Sequence, residues 1–499
     1  MRSARGRHLE GEPKLSGTAS DIDTALNGAL SQLIELGDIK CKRGEITMVP
    51  TFGRLPSPRV VVAGLGRRDA LSRDVFRTVA AEAARYLRAH GVASAAVAPS
   101  AAPDDLQLES AGKVIAEGAL LGLYTFSRHK SSLEESAPLQ DIAIVGQSGA
   151  DAAALVRGVE RGRILANAAN LARDLENEPS NYTTPTELAN RAKAVADESG
   201  VECQVLDRED MVGLGMGALP GVAKGSYEEP KFIVLAYRGD PSTDRAIGFV
   251  GKGVTFDTGG LSIKPAQGME EMKGDMSGGA SVIAALSAIA RLRPKVNVTG
   301  IVPTTENMPG GAAIKPGDVL VAMSGKTIEV INTDAEGRLI LADGLAYARR
   351  LDLSPIIDVA TLTGAVSIAL GDVALGVFSN DDQLVEQLKP AAGEAGEKLW
   401  QLPPFEEHRE QIKSEVADIK NTGGRKAGSA TAAWFLAEFV DSTPWAHLDI
   451  AGVDTYEHEM GWIVKGASGI PVRTLIHFVL DRAGESAEVT SETAATAGD

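Results

Sequence analysis

The octapeptide Asn332-Thr-Asp-Ala-Glu-Gly-Arg-Leu339 sets two carboxylates, Asp334 and Glu336, two residues apart beside a glycine and an arginine. Carboxylates this close repel one another unless a divalent ion or a proton lies between them, and Gly337 lets the backbone approach whatever does. Two stretches upstream are of the same kind. Val250 to Pro265 contributes Lys252, Asp257 and Lys264, and Lys273 to Gly279 contributes Asp275. Any one of these in isolation reads as a solvated turn or a surface lysine. Together, embedded in apolar strands and small-residue loops, they would be costly to bury without a compensating ion.

Four carboxylates with no cysteine or histidine among them form an oxygen-rich site suited to Mg²⁺, Mn²⁺ or Zn²⁺. Two ions fit better than one, because a pair about 3.5–4 Å apart shares carboxylates as bridges and holds a water between them. None of the seven histidines lies between Ile247 and Ile340. Beside two dications the ammonium form of Lys252 is disfavoured, so its neutral amine is expected as a nitrogen ligand. Lys264 and Arg338 are placed to stabilise negative charge that develops when a water attacks a carbonyl. With the carboxylates committed as ligands, a small planar oxyanion such as bicarbonate, gripped by the fork of Arg338, would serve as proton acceptor. These residues point to a dinuclear hydrolase.

The elements that must position them read as α/β. The first third alternates β-branched runs at Arg59–Ala63, Ser94–Ala98 and Asp141–Val145 with helical patterns at Val75–His90 and Ala111–Phe126. Gly64-Leu-Gly66 lacks the third glycine of a dinucleotide turn and is expected to be a simple strand-to-helix turn. A helix over Asp151–Glu176 leads into a loop with Pro179 and Pro185, and the domain junction is expected near it. Beyond it, strands are expected at Lys231–Tyr237, Ala246–Val250, Asn297–Val302 and Pro355–Ala360, with helices at Ser277–Leu292 and Arg338–Arg350. The expected architecture is a smaller N-terminal α/β domain, residues 1–160, and a catalytic domain, residues 161–485, with a mixed or parallel sheet covered by helices on both faces. The charged clusters fall at carboxyl ends of its strands, where such sheets collect ligands. Residues 486–499, rich in Ser, Thr, Ala, Glu and Gly, are expected to be a disordered tail.

At 499 residues the chain is too long for one ordinary core, and 44% hydrophobic with 23% charged residues is the balance of a chain that buries one. A net charge of −17 repels a phosphate backbone and argues against nucleic acid as main partner, although Arg2, Arg5 and Arg7 cluster at one terminus. Cys41 and Cys203 alone support neither a disulfide framework nor a cysteine zinc site. The first thirty residues hold no apolar run of the length a signal peptide needs, and no segment reaches the roughly 20 apolar residues of a membrane span, so no membrane association and a cytoplasmic location are expected.

The motifs resemble those of the cytosol (leucyl) aminopeptidase family. The octapeptide at Asn332 resembles the family signature without a mismatch, and the likeness extends through Gly251–Asp257, Ser262–Pro265, Asp358–Gly364 and Trp445–Gly452, covering about Asn170 to Leu480. The resemblance implies two zinc or manganese ions per subunit, bridged by Asp257 and Glu336. Lys252 and Asp275 would complete one site and Asp334 the other. It implies that Lys264 steadies the tetrahedral intermediate and that Arg338 holds bicarbonate as the general base. Met272, Thr361 and Gly364 would take the first side chain of a short peptide, with a leucine-like preference. The implied assembly is a homohexamer, a dimer of trimers enclosing the active sites.

Asp454 departs from the pattern, standing where relatives often place an apolar pocket residue; it is expected to point to solvent rather than to the pocket rim. His447 is expected to be a hydrogen-bonded structural residue. Two other functions suit the same scaffold: a cysteinylglycine-type dipeptidase, and a DNA-binding regulator, against which the acidity argues.

Overall fold

A computed structural model of the chain describes residues 15, 17–99, 107–132, 139–146 and 148–484. The expected tail and the three N-terminal arginines lie outside the described residues. Contacts divide the chain into two compact units, Met1–Ala166 with Glu459–Val464, and Asn167–His458 with Lys465–Asp499. The division falls six residues beyond the expected boundary, because the helix Gly149–Asn177 runs through the junction unbroken, and a short segment near Glu459 belongs to the first unit.

In the first unit the strand Arg59–Ala63 pairs antiparallel with Ile46–Pro50, and Ser94–Val97 pairs parallel with Asp141–Ile144. The helix Arg73–Ala89 is capped by Ser72, whose hydroxyl accepts from the Val75 amide, and Arg77 within it forms a fully buried ion pair with Glu117 of the helix Leu108–Gly122 at 2.9 Å. Gly64-Leu-Gly66 leads from the strand to a single 3₁₀ turn, Arg68–Ala70, and then to that helix, so it is a connection between elements, as its spacing implies.

The second unit is built on a mixed sheet of nine strands flanked by helices. Four of them, in the order Trp445–Asp449, Ile356–Ala360, Ala246–Gly251 and Asn297–Asn307, run parallel at its centre. Antiparallel neighbours Leu375–Ser379 and Lys231–Arg238 flank them. Every residue of Ala246–Gly251, Ile356–Ala360 and Trp445–Asp449 is buried, which is why Ala246–Gly251 reads as a continuous apolar run rather than an alternating one, whereas the other two strands bury the polar side chains Asp358, His447 and Asp449. The helix Ser277–Leu292 is buried along nearly its whole length. Its first turn packs directly on the sheet: a Cβ on Gly278 would sit 2.0 Å from the Val359 carbonyl oxygen, so only glycine permits this approach. The four parallel strands end together, and their carboxyl ends deliver Lys252, Asn307, Thr361 and Asp449 to one region.

Among the described residues no helix is long and apolar enough to cross a membrane.

Candidate metal centre and substrate cavity

Every site residue nominated from the sequence borders one cavity of about 280 Å³ in the second unit. Lys252 follows the strand Ala246–Gly251, and Asp257 ends the short strand Gly253–Asp257 that pairs beside Asn297–Asn307. Met272 and Asp275 lie on the 3₁₀ segment Met269–Met276, and Asp334 on the loop before the helix Glu336–Arg350. Glu336 opens that helix, where free backbone N–H groups favour a carboxylate. Arg338, in the first turn of that helix, borders the same space, while Thr361 follows the strand Ile356–Ala360 and Gly364 opens the helix Gly364–Leu370.

The charges are interleaved. Lys252 Nζ lies 2.6 Å from Asp275 Oδ1 and 3.0 Å from Glu336 Oε1, and it also donates to the Thr361 carbonyl at 3.1 Å. Lys264 Nζ lies 2.8 Å from Asp257 Oδ2 and 2.6 Å from Asp334 Oδ1. Gly337 makes room for this: a Cβ there would fall 2.4 Å from Lys252 Cε. Burial works against the Lys252 ammonium, but Asp275, Glu336 and Asp257 outweigh it and hold it well above the usual lysine range. Among these side chains Lys252 is therefore an ammonium, and the neutral amine expected from the sequence would require the added charge of bound dications. Burial and the neighbouring Glu336 push Asp257 up to about 6, and burial pushes Asp275 well above the ordinary carboxylate range against the pull of Lys252. Burial acts on Glu336 in the same sense, yet Lys252 and Lys264 prevail and lower it.

The donor set fits divalent ions. Asp257, Asp334 and Glu336 each offer an oxygen within 4.8 Å of the others, and Asp275 Oδ2 is buried with no hydrogen-bond partner. Four carboxylates facing two ammonium groups leave excess negative charge at a buried position, which a hard cation would neutralise. Arg338 carries the complementary feature for an anion. Burial lowers it to about 10, its Nη1 donates to the Asn421 carbonyl at 2.8 Å, and its Nε is buried without a partner.

Several supporting residues were missed from the sequence. Asn307 Nδ2 donates to Asp257 Oδ1 at 2.8 Å and to the Thr333 carbonyl at 3.0 Å, and reaches Glu336 Oε2 at 3.3 Å, tying the loops together. Asn421 receives Arg338 and holds the octapeptide through the Ile331 amide and the Asn332 carbonyl, at 2.8 and 2.7 Å. Asp449 accepts from the Thr363 hydroxyl at 2.6 Å and fixes the turn that carries Thr361 and Gly364. A polar side chain at the end of an apolar strand was the available signal for Asn307 and Asp449; Asn421 opens the segment Asn421–Ala433, which in sequence reads as a loop leading into a closely packed small-residue helix and not as part of the site.

Asp454 corrects an expectation. It borders the cavity instead of facing solvent, because the chain after Asp449 turns back over the strand ends and the Asp454 amide donates to the Ile450 carbonyl at 3.0 Å. His447 is fully buried within its strand, its Nδ1 2.6 Å from Asp358 Oδ1, and Asp358 also accepts from the Trp445 indole at 2.6 Å. It takes no part in the cavity wall.

Residues 170–476 match the model of the cytosol aminopeptidase family, catalytic domain, and residues 9–133 that of the same family's N-terminal domain. The chain is 45% identical over 456 residues to a probable cytosol aminopeptidase of Alkaliphilus metalliredigens, covering 91% of each chain, and 47% identical over 450 residues to one of Solibacter usitatus, covering 90% of this chain and 92% of the relative. Among solved structures it is similar to a mutant of tomato leucine aminopeptidase, with a TM-score of 0.84 at 36% identity over 95% of this chain and 91% of that one. It is also similar to the bottromycin maturation enzyme BotP in complex with Mn, with a TM-score of 0.82 at 35% identity over 91% and 96%. These matches support aminopeptidase activity and neither of the two alternatives weighed from the sequence. The chain belongs to the cytosol aminopeptidase family and is a metal-dependent exopeptidase.

Proposed function

We propose that this enzyme removes the N-terminal residue from short peptides at a two-ion centre held by Lys252, Asp257, Asp275, Asp334 and Glu336. The observation that carries the reading is the convergence of the Asp257, Asp334 and Glu336 oxygens within 4.8 Å beside the unpartnered Asp275 Oδ2. Asp257 and Glu336 would bridge the ions, Lys252 and Asp275 would complete one site, and Asp334 the other. When bound, such a pair supplies Lewis acidity and lowers the pKa of water. Manganese or zinc suits the donors, and the manganese complex of BotP supports the former.

The protein's own groups do the rest. Lys264, partly exposed to the cavity and held as an ammonium by Asp257, can donate to the oxyanion that forms at the scissile carbonyl. Arg338, with its unpartnered Nε, would hold bicarbonate as the proton acceptor. Met272, Thr361 and Gly364 would receive the first side chain, and a Cβ on Gly364 meets nothing within 4 Å, which leaves that part of the wall open. On the same reading the protein is cytoplasmic and assembles as a hexamer, a dimer of trimers, which sedimentation would measure.

The deciding experiment assays aminoacyl p-nitroanilides before and after chelation and after restoring Mn²⁺ or Zn²⁺, with elemental analysis of the active protein. Two ions per chain and activity that falls and returns with them are expected. Full activity in protein carrying no divalent ion would overturn the reading.

A further inference from the structure

Two carboxylates border the cavity that neither the ligand set nor proton transfer uses, Glu271 and Asp454. Glu271 is exposed, whereas Asp454 is half-buried and its backbone is held from both sides: its amide donates to the Ile450 carbonyl at 3.0 Å and its carbonyl accepts from the Ser468 amide at 2.7 Å. Its Oδ2 lies 3.9 Å from where a Cβ on Gly274 would stand, so it faces the segment that carries Met272 and Asp275. The same point is 3.6 Å from Glu176 Oε1, a buried oxygen with no hydrogen-bond partner.

Among the described residues no lysine or arginine pairs with Asp454. The charges that act on it most come from Asp449 and Glu271, both of its own sign, and burial pushes its carboxyl up to about 6. Glu176 is pushed well above the usual range by burial and by Asp454, with Arg173 and Lys273 opposing. The cavity thus carries two carboxylates outside the ligand set, Asp454 and Glu271, and its lining also includes the apolar Met272 and Gly364, whose Cβ position is open. A partly buried carboxylate without a cation is unfavourable by itself and becomes favourable when a ligand brings one.

We infer that Asp454 sets specificity for peptides whose first residue carries a cationic side chain, lysine or arginine, with the carboxylate as counter-charge to its ammonium or guanidinium. Met272 and the space beside Gly364 accept the aliphatic stem, as long cationic side chains lay their methylenes on apolar surface while the head finds polar partners. The inference rests on the aminopeptidase reading above and departs from a leucine-like preference.

The test compares kcat/KM for lysyl, arginyl, leucyl and norleucyl p-nitroanilides in the wild type, Asp454→Asn and Asp454→Met, all loaded with the same ion. The wild type is expected to favour lysyl or arginyl over leucyl by about 10-fold or more. Asp454→Asn should cut that ratio by about 10- to 100-fold, chiefly through KM, the scale of one hydrogen-bonded charge pair. Asp454→Met should reverse it. Bound ions per chain should be unchanged in Asp454→Asn, which separates a pocket effect from damage to the metal centre. A wild type that prefers leucyl over lysyl and arginyl, or a ratio that Asp454→Asn leaves in place, overturns the inference while the aminopeptidase reading stands. Hydrolysis of none of the four by the wild type overturns both.

Discussion

Replacing Glu336 with glutamine tests the electrostatic logic of the centre most directly. The side chain is only 1% exposed, lies 3.0 Å from Lys252 Nζ and receives Asn307 at 3.3 Å. Removing one partner of a buried ion pair ordinarily costs about 3–5 kcal/mol. Here two features reduce that figure in chelated protein. Lys252 keeps Asp275 at 2.6 Å, and Asp257, which Glu336 repels, is relieved. A loss of about 1–2 kcal/mol is therefore expected, read from urea unfolding in excess chelator. Turnover should respond far more strongly, because the amide cannot serve as an anionic bridge. A fall in kcat of about 10³-fold or more, equivalent to about 4 kcal/mol of transition-state stabilisation, should accompany a drop below two bound ions per chain. A variant that binds two ions and turns over within tenfold of the wild type would refute the bridging role. A chelated variant that loses more than about 4 kcal/mol would show that the carboxylate crowding is not relieved as the geometry implies.

Other substitutions and conditions separate the remaining roles. Lys264→Ala should leave bound metal in place while kcat falls by about 10²-fold, the scale of a lost oxyanion donor; loss of metal instead, seen by elemental analysis, would assign the lysine to the ion site. His447→Gln should lower stability by about 1–3 kcal/mol, because Asp358 loses a buried partner at 2.6 Å, while kcat per folded molecule stays within about threefold; a large kcat loss in folded, metal-replete protein would give the histidine a catalytic part. The folded-state pKa of Asp257 is raised to about 6, so its contribution to stability is fully present below about pH 4 and is lost as pH rises through 6. Chelated protein should therefore lose on the order of 1 kcal/mol from this group between pH 5 and pH 7.5, and added Mn²⁺ should raise Tm more at pH 7.5 than at pH 5. Equal metal-induced shifts at the two pH values would contradict the assignment.

Much of the cavity's charged lining was legible because the candidate ligands sit in short, dense motifs at strand and helix ends. Asp334, Glu336 and Arg338 fall within five residues, and their place at a helix start follows from local pattern. Strands such as Ala246–Gly251 were legible for a related reason: burial on both faces demands an unbroken apolar run. The domain boundary was less so, since the helix Gly149–Asn177 continues through it and leaves no break in periodicity to read. The role of Asn421 was not legible, because it lies in reaching, across about ninety residues of chain, the Ile331 amide and the Asn332 carbonyl.

By itself, then, the order of residues specified which groups carry charge, which segments must be buried and where small residues let backbones approach. Only the packed chain decided what those charges face. Lys252 lies between Asp275 and Glu336, and Lys264 between Asp257 and Asp334, because parallel strands from distant parts of the chain end at one edge. Asp454 is turned into the cavity by backbone hydrogen bonds to Ile450 and Ser468. Local sequence determines propensity and periodicity over a few residues, whereas pairing between charges depends on distances that exist only once the sheet has formed.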